Sequence, residues 1–249
     1  MPRVLISDKM NPLAAKLFSA RGIDVDVNTG LTPEELKAII ADDGLAVRSS
    51  TKATAEIIAA ADNLKVIGRA GIGVDNIDLA AATARGAVVM NTPFGNSITT
   101  AEHAIALITA LARQIPLADR STRAGKWEKS RFMGMELCNK ELGIIGCGNI
   151  GAIVATLALG LKMRVIAYDP YLSPERANNL GVERVSLDEL LKRADVITLH
   201  VPLTDETRGI IDADALAKTK FGVHIVNCAR GSLVVEADLK PAIESGHVA

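Results

Sequence analysis

A glycine-rich run in the middle of the chain has the spacing of a dinucleotide-binding turn. Gly146, Gly148 and Gly151 follow the apolar stretch Leu142–Ile145 and precede a second apolar stretch that favours a helix. In such a turn the first glycine permits the bend, the second lets a pyrophosphate approach the backbone, and the third lets the helix pack closely. Asp169 ends the next β-branched run, where a carboxylate binds both ribose hydroxyls and repels a 2′-phosphate. We therefore predict NAD as the cofactor, in preference to NADP.

The glycine-rich run leaves two other interpretations open. One is a glycine-rich turn that has no ligand. The other is a related turn that holds the adenosyl group in methyltransferases. The strand before the run, the helix after it and the acidic residue at the end of the next strand favour the dinucleotide.

Two arginines in the first part of the chain are placed to bind an anion. Arg48 and Arg69 each end a short β-branched run, and open parallel sheets bind their ligands at the carboxyl ends of the strands. The backbone amides around Gly71, Gly73 and Val74 can add an anion-binding turn. An arginine at a strand end is also often only solvated, so the pair alone does not establish a site.

Short β-branched runs alternate with Ala-rich helical stretches, and this pattern predicts a parallel sheet covered by helices. Such a sheet would position the residues named above at the ends of its strands. The strands that we predict are Val4–Ser7, Asp24–Val27, Leu45–Arg48, Lys65–Arg69, Ala87–Asn91, Glu141–Ile145, Arg164–Tyr168, Val196–His200 and Gly222–Asn227. Two of the predicted helices are Ala152–Leu161 and Leu187–Arg193, and one long helix from Ala101 to about Ala124 connects the two parts.

The length and composition fit an α/β protein of two domains. A chain of 249 residues exceeds the usual range of one domain. The first five strands predict a flavodoxin-like domain over residues 1–97, and the remaining strands predict a Rossmann domain over residues 98–249.

The charge and cysteine content exclude several classes of partner. The net charge of −1 does not favour nucleic acid or an anionic membrane, and no apolar run is long enough to span a bilayer. Three cysteines without a CxxC pair indicate a reducing compartment, so we expect a cytoplasmic protein. We predict no metal site.

Several segments, in order along the chain, resemble the D-2-hydroxyacid dehydrogenases, most closely the branch that acts on D-3-phosphoglycerate. Besides the glycine-rich run they are Gly68–Asp78, Asn91–Ser97, Ala101–His103, His200–Thr207 and Asn227–Gly231. The segments Val47–Thr51 and Gly125–Glu128 favour the phosphoglycerate branch.

The resemblance implies a function and a set of site residues. It implies NAD-dependent oxidation of 3-phospho-D-glycerate to 3-phosphohydroxypyruvate, the entry to serine biosynthesis, with residues 1–97 as the substrate domain. Arg230 is implied as the catalytic arginine, which holds the substrate carboxylate and polarises the carbon–oxygen bond. Further positions that match cofactor-lining residues of the family are Asn149, Ile150, Val201, Cys228 and Ile72. The family also implies a homodimer through the region 101–124.

The sequence departs from the family near its end. In the family a catalytic histidine and its glutamate partner lie downstream of the segment that holds Arg230, and the sequence stops at Ala249 without them. We therefore expect a C-terminally truncated chain that lacks the last Rossmann strands, has an incomplete substrate domain and is weakly active or inactive. Ser232 and Val235 stand where the family favours Gly and Asp.

Two alternative functions remain open from the sequence. One is another D-2-hydroxyacid dehydrogenase, such as a glyoxylate or hydroxypyruvate reductase. The other is a non-catalytic NAD-binding protein that resembles a corepressor.

Overall fold

A computed structural model describes residues 1–249, which form two compact units, Met1–Asn96 and Ser97–Ala249. Both units are parallel sheets with helices, so the α/β class is confirmed. No helix has both the length and the apolar character that are needed to cross a membrane.

The first unit contains a five-stranded parallel sheet in the order β2-β1-β3-β4-β5. Its strands are β1 Arg3–Ile6, β2 Asp24–Val27, β3 Gly44–Val47, β4 Val66–Arg69 and β5 Val88–Met90. Its helices are α1 Leu13–Ser19, α2 Pro33–Ile39, α3 Ala55–Ala60 and α4 Leu79–Arg85. This is the flavodoxin-like strand order, and all five predicted strands are present.

Three helices of the first unit, α2, α3 and α4, begin at side chains that cap them. The Thr32 hydroxyl accepts a hydrogen bond from the Glu35 amide at 3.2 Å, and the Glu35 carboxylate accepts one from the Thr32 amide at 2.8 Å. This reciprocal capping box satisfies two amides that the helix itself leaves unpaired. The side chains of Thr54 and Asp78 accept backbone amides at the starts of α3 and α4.

The second unit contains another five-stranded parallel sheet, in the order β10-β9-β6-β7-β8. Its strands are β6 Glu141–Ile145, β7 Arg164–Tyr168, β8 Glu183–Arg184, β9 Val196–Leu199 and β10 His224–Asn227. Its helices are α5 Ser97–Ala112, α6 Ile115–Arg123, α7 Asn149–Gly160, α8 Pro174–Leu180, α9 Leu187–Arg193, α10 Ala213–Ala217 and α11 Glu236–Glu244. Two short 3-10 helices cover Lys129–Arg131 and Gly231–Leu233, and Val248 makes a further parallel bridge to Val223.

The sheet of the second unit is buried on both faces. Along β6, Leu142 and Ile144 lie in one apolar core with α5 and α7, and Ile145 lies in the other core with α9 and α10. Side chains alternate between the faces of a strand, so a strand that is covered on both sides is apolar throughout. Gly143 has no room for a side chain, because a Cβ there would lie 2.6 Å from Leu190 Cδ2 of α9.

The prediction of one helix from Ala101 to Ala124 is wrong. The segment forms α5 and α6, and Gln114 between them has a left-handed backbone with φ of +52°. Pro116 explains the break, because in a continuous helix its ring would clash with the carbonyl of Ala112 and its nitrogen could not donate to that carbonyl. The Ala112 carbonyl accepts the Met135 amide instead, at 2.7 Å.

Candidate functional site

The glycine-rich turn lies at the point where the strand order of the second sheet reverses. The first strand, β6, has β7 and β8 on one side and β9 and β10 on the other. Open α/β sheets bind their ligands in the crevice at the carboxyl ends of the strands at such a switch point. Gly146 follows β6 directly, and His200 and Val201 follow β9.

The three glycines of this turn have different physical roles. Gly146 has a φ of +94°, and a Cβ on it would lie 2.7 Å from Val201 Cγ1 and 2.8 Å from the His200 carbonyl carbon. A Cβ on Gly151, which is buried in the first turn of α7, would overlap the carbonyl oxygen of Gly146. A Cβ on Gly148 would meet no atom within 4 Å. Two glycines are therefore required by packing, and the third leaves open space next to the backbone.

The amino end of α7 presents backbone amides beside this open space. Gly148 is the N-cap residue and provides no side-chain cap, and Asn149 and Ile150 form the first positions of the helix. Uncapped amides and the helix dipole together favour an anion at this end. The structure thus brings Asn149 and Ile150 to the turn, as the sequence predicts for the phosphates of a dinucleotide.

Asp169 lies against the same turn, directly after β7. Its Oδ2 accepts the amide of Cys147 at 2.8 Å, and its Oδ1 accepts the amide of Tyr171 at 2.8 Å. A carboxylate has about four lone-pair sites, so Asp169 keeps acceptor capacity for ribose hydroxyls. The open space at Gly148, the amides of α7 and this carboxylate fit an NAD molecule, and these residues would hold it.

Burial keeps the other polar side chains around the turn neutral. Burial lowers the pKa of His200 to about 4; its Nε2 lies 2.9 Å from the Thr198 hydroxyl, and its Nδ1 is buried without a partner. Burial, together with the charge of Asp169, raises the pKa of the Cys147 thiol, and burial raises that of Cys228. Cys228 packs against the apolar core, so both cysteines act as small apolar residues.

Arg230 lies after β10, in a turn that Asn227 holds in place. The Asn227 side-chain amide donates to the carbonyl of Arg230 at 2.8 Å, and its Oδ1 accepts the amide of Ala229 at 3.0 Å. The Arg230 guanidinium is half-buried and donates to the Ala229 carbonyl at 2.9 Å. The sequence reasoning missed Asn227, although an Asn at a strand end is a common turn-forming signal.

The predicted anion-binding residues of the first unit lie close together. Arg69 ends β4 and is only 8% exposed, and Arg48 follows β3 and is exposed. The Arg69 Nε donates to the Arg48 carbonyl at 3.3 Å. A Cβ on Gly71 would lie 3.2 Å from Arg69 Nη1, so the missing side chain lets the guanidinium lie against this turn.

The turn after β4 contains the remaining predicted residues of the first unit. Ile72, Gly73 and Val74 are half-buried, and the Asn91 side-chain amide donates to the Ile72 carbonyl at 2.6 Å. A contact between Ile72 and the cofactor stays a prediction. The sequence reasoning missed Asn91, and it also missed a buried Asp8 that bonds to the loop of Arg48.

The site contains no arrangement that could hold a metal. No three or more His, Cys, Asp or Glu side chains are grouped as metal ligands.

Comparisons with known proteins agree with this geometry. The family described as "D-isomer specific 2-hydroxyacid dehydrogenase, NAD binding domain" matches residues 105–249. A D-3-phosphoglycerate dehydrogenase from Archaeoglobus fulgidus is 52% identical over 248 residues, which are 99% of this chain and 47% of that protein. The chain spans about half the length of the curated relatives that it matches.

Two solved structures have similar folds over almost the whole chain. The TT0316 protein from Thermus thermophilus is 36% identical with a TM-score of 0.90, over 99% of this chain and 79% of that one. A glyoxylate reductase from Paecilomyes thermophila is 32% identical with a TM-score of 0.91, over 99% of this chain and 79% of that one.

Proposed function

This chain belongs to the D-isomer specific 2-hydroxyacid dehydrogenase family, which has an NAD-binding domain, and on that premise we propose that the protein oxidises 3-phospho-D-glycerate to 3-phosphohydroxypyruvate. The observation that carries the choice of substrate is the pair Arg48 and Arg69, held together at the carboxyl ends of β3 and β4. Two arginines at this position can bind a phosphate group that the substrate carries in addition to its carboxylate. The D-3-phosphoglycerate dehydrogenase relatives support the same choice.

The proposed roles of the residues follow from their chemistry. We assign substrate binding to residues 1–97, where Arg48, Arg69 and the turn of Gly71, Gly73 and Val74 bind the phosphate. Arg230 binds the substrate carboxylate and polarises the carbon–oxygen bond, because a guanidinium offers two parallel donors in a fixed plane. NAD, when bound in the domain of residues 98–249, supplies the hydride acceptor.

We infer that the 249-residue chain turns its substrate over slowly, because its histidines are poorly suited to accept the hydroxyl proton. Burial lowers the pKa of both His200 and His224, which makes them weak bases near neutral pH. The Nε2 of His247 is engaged with the Thr219 hydroxyl at 3.0 Å and the Leu216 carbonyl at 2.9 Å. His103 lies exposed on α5.

The test is a panel of substrates for binding and turnover with NAD. We expect 3-phosphoglycerate to bind at least about tenfold more tightly than D-glycerate, because a phosphate adds charge-assisted hydrogen bonds to the arginines. The variant Arg48→Gln should remove this preference, and Arg21→Gln, an exposed arginine after α1, is the matched control. Equal affinity for both acids in the parent chain would contradict the proposal.

A second candidate function is a glyoxylate or hydroxypyruvate reductase. The similarity to the glyoxylate reductase from Paecilomyes thermophila favours it, and it requires no phosphate site. Reduction of glyoxylate with no effect of Arg48→Gln would support it. Tight NAD binding without turnover of any hydroxy acid, measured on a chain extended to the length of the curated relatives, would instead favour a non-catalytic, corepressor-like protein.

We also propose a homodimer through the region 101–124. Leu107 and Leu111 of α5 and Ile115 and Leu117 of α6 are exposed, and such a set of apolar side chains favours association. Light scattering should give twice the chain mass of 26.2 kDa, and the monomer mass would contradict the proposal.

All three cysteines are unpaired, which supports the cytoplasmic location that we expect.

A further inference from the structure

A buried carboxylate lies at the switch point of the first sheet, beside the proposed phosphate site. The strand order β2-β1-β3 places the reversal between β1 and β3, where such sheets bind ligands. Asp8 follows the end of β1 and is only 4% exposed, and Arg48 follows β3. A charged group this deeply buried must be satisfied by hydrogen bonds.

The hydrogen bonds that the Asp8 carboxylate accepts come from one loop, which comprises residues 48–51. Its Oδ2 accepts the amide of Arg48 at 2.6 Å and the amide of Thr51 at 3.2 Å. Its Oδ1 accepts the Thr51 hydroxyl at 3.0 Å, and that hydroxyl also accepts the Ser7 hydroxyl at 3.0 Å. The carboxylate thus fixes both ends of the loop, because its bonds come from Arg48 and from Thr51. Bonds to a charged acceptor are also stronger than bonds between neutral groups.

The same loop is held from its other side by two more side chains. The Asn76 side-chain amide donates to the Arg48 carbonyl at 2.7 Å and to the Thr51 carbonyl at 2.6 Å. The Arg69 Nε donates to the Arg48 carbonyl as well, at 3.3 Å. The backbone of Arg48 is therefore bonded at its amide and at its carbonyl, and its exposed side chain donates from Nη1 to the Lys9 carbonyl at 3.4 Å.

We propose that Asp8 is a positioning residue for anion binding, which acts through the loop of residues 48–51 to hold Arg48 next to Arg69. This inference rests on the proposed function, in which the two arginines bind the phosphate of the substrate. A loop fixed in advance does not have to be ordered when the ligand binds, and that raises affinity. Asp8 itself does not contact the ligand.

If Asp8 acts only through its charge, or instead by positioning the loop, its neutralisation should change the affinity for an anion in opposite directions. By charge alone, removing the negative charge of a carboxylate that is bonded to the backbone of Arg48 strengthens the attraction of the proposed site for an anion. If the carboxylate acts by positioning, Asp8→Asn weakens binding, because an amide cannot accept every bond that the loop donates. The sign of the change therefore separates the two explanations.

The experiment is a calorimetric titration of the 249-residue chain with 3-phosphoglycerate, with NAD at saturating concentration. We expect Asp8→Asn to weaken binding about fivefold, the size of effect that loss of one buried hydrogen bond gives. Thr51→Val should weaken it similarly without any change of charge, and Thr51→Ser, which keeps the hydroxyl, should restore it.

Asp43→Asn is the matched control for a loss of stability alone. Asp43 lies at the opposite end of the same sheet, where its carboxylate accepts the Arg3 amide at 3.0 Å and the Lys65 ammonium at 2.7 Å. This variant should lower the melting temperature and leave the affinity for 3-phosphoglycerate unchanged.

The two proposals fail in different ways. If the parent chain binds 3-phosphoglycerate and Asp8→Asn or Thr51→Val binds it equally or more tightly, the positioning role is overturned and the proposed function stands. If the parent chain does not bind 3-phosphoglycerate, the proposed function is overturned and the positioning role with it.

Discussion

Burial decides how individual polar residues around the glycine-rich turn behave. Asp169 keeps its charge accessible because only two of its acceptor sites are used, by the amides of Cys147 and Tyr171. His200 follows the neighbouring strand β9, and burial lowers its pKa to about 4, so it is neutral. A crevice with one carboxylate and a neutral imidazole suits ribose hydroxyls better than an additional phosphate on the ribose.

The pKa of His200 predicts a loss of stability in mild acid. The unfolded chain binds a proton at His200 near the ordinary pKa of 6.5, and the folded chain does so only at about 4. Stability is therefore fully present above pH 6.5 and is lost as the pH falls towards 4, and His224 contributes with the same sign. The loss between pH 6.5 and 4.5 is on the order of 2 kcal/mol for His200.

Urea unfolding of the parent chain and of His200→Gln at these two pH values tests this prediction. The variant should lose less stability than the parent chain on acidification. His103→Gln, which changes an exposed histidine of α5, should behave like the parent chain. A parent chain and a His200→Gln variant with the same pH dependence would show that the imidazole is not held neutral by burial.

At the scale of elements, substitution of the glycines in α7 and in the turn before it tests which glycines are needed for packing and which for NAD binding. Gly151→Ala should destabilise the protein by about 2 kcal/mol or more, because the added methyl overlaps the carbonyl of Gly146. Gly148→Ala meets no atom, so it should cost less than about 1 kcal/mol of stability, as a poorer N-cap, and weaken NAD binding by about tenfold. Gly160→Ala, at the last position of the same helix, is the control and should change neither property for the worse.

Thermal unfolding and NAD titration of the three variants give the required comparison. A stable Gly148→Ala variant with unchanged NAD affinity would mean that the open space at this position is not where the cofactor binds.

Elements with a strong local pattern could be predicted from the sequence to the residue. The strands β6 and β7 and the helix α9 have the predicted bounds, because short apolar runs and a Ser cap with acids in the first turn leave little choice. The long connecting helix was predicted wrongly because its apolar stripe outweighed Pro116. The two-residue strand β8 has too few residues to show a pattern.

The residues of the candidate site also differ in whether the sequence alone could predict them. The glycine-rich turn and Asp169 could be predicted because their chemistry is contained in one strand–turn–helix–strand segment. The network of Asp8, Thr51 and Asn76 could not, because these residues come together only through the strand order of the sheet. The one available signal was a carboxylate directly after the first buried strand.

At the scale of the whole molecule, each compact unit has its own core and its own sheet, and our proposal assigns one ligand to each unit. Each apolar core is built from residues of a single unit, and each sheet has its own switch point. The net charge of −1 gives no general attraction for anions, so NAD and the proposed phosphorylated substrate would both have to be bound by local groups. In the second unit those groups are the turn at Gly148, the amino end of α7 and Asp169.

The most direct test of this account is an equilibrium titration of the 249-residue chain and of Asp169→Ala with NAD and with NADP. We expect the parent chain to bind one NAD, about tenfold or more tightly than NADP, because the Asp169 carboxylate repels a 2′-phosphate. The variant should bind NAD more weakly and lose the preference. Equal affinity of the parent chain for the two cofactors, or no binding of either, would contradict the account.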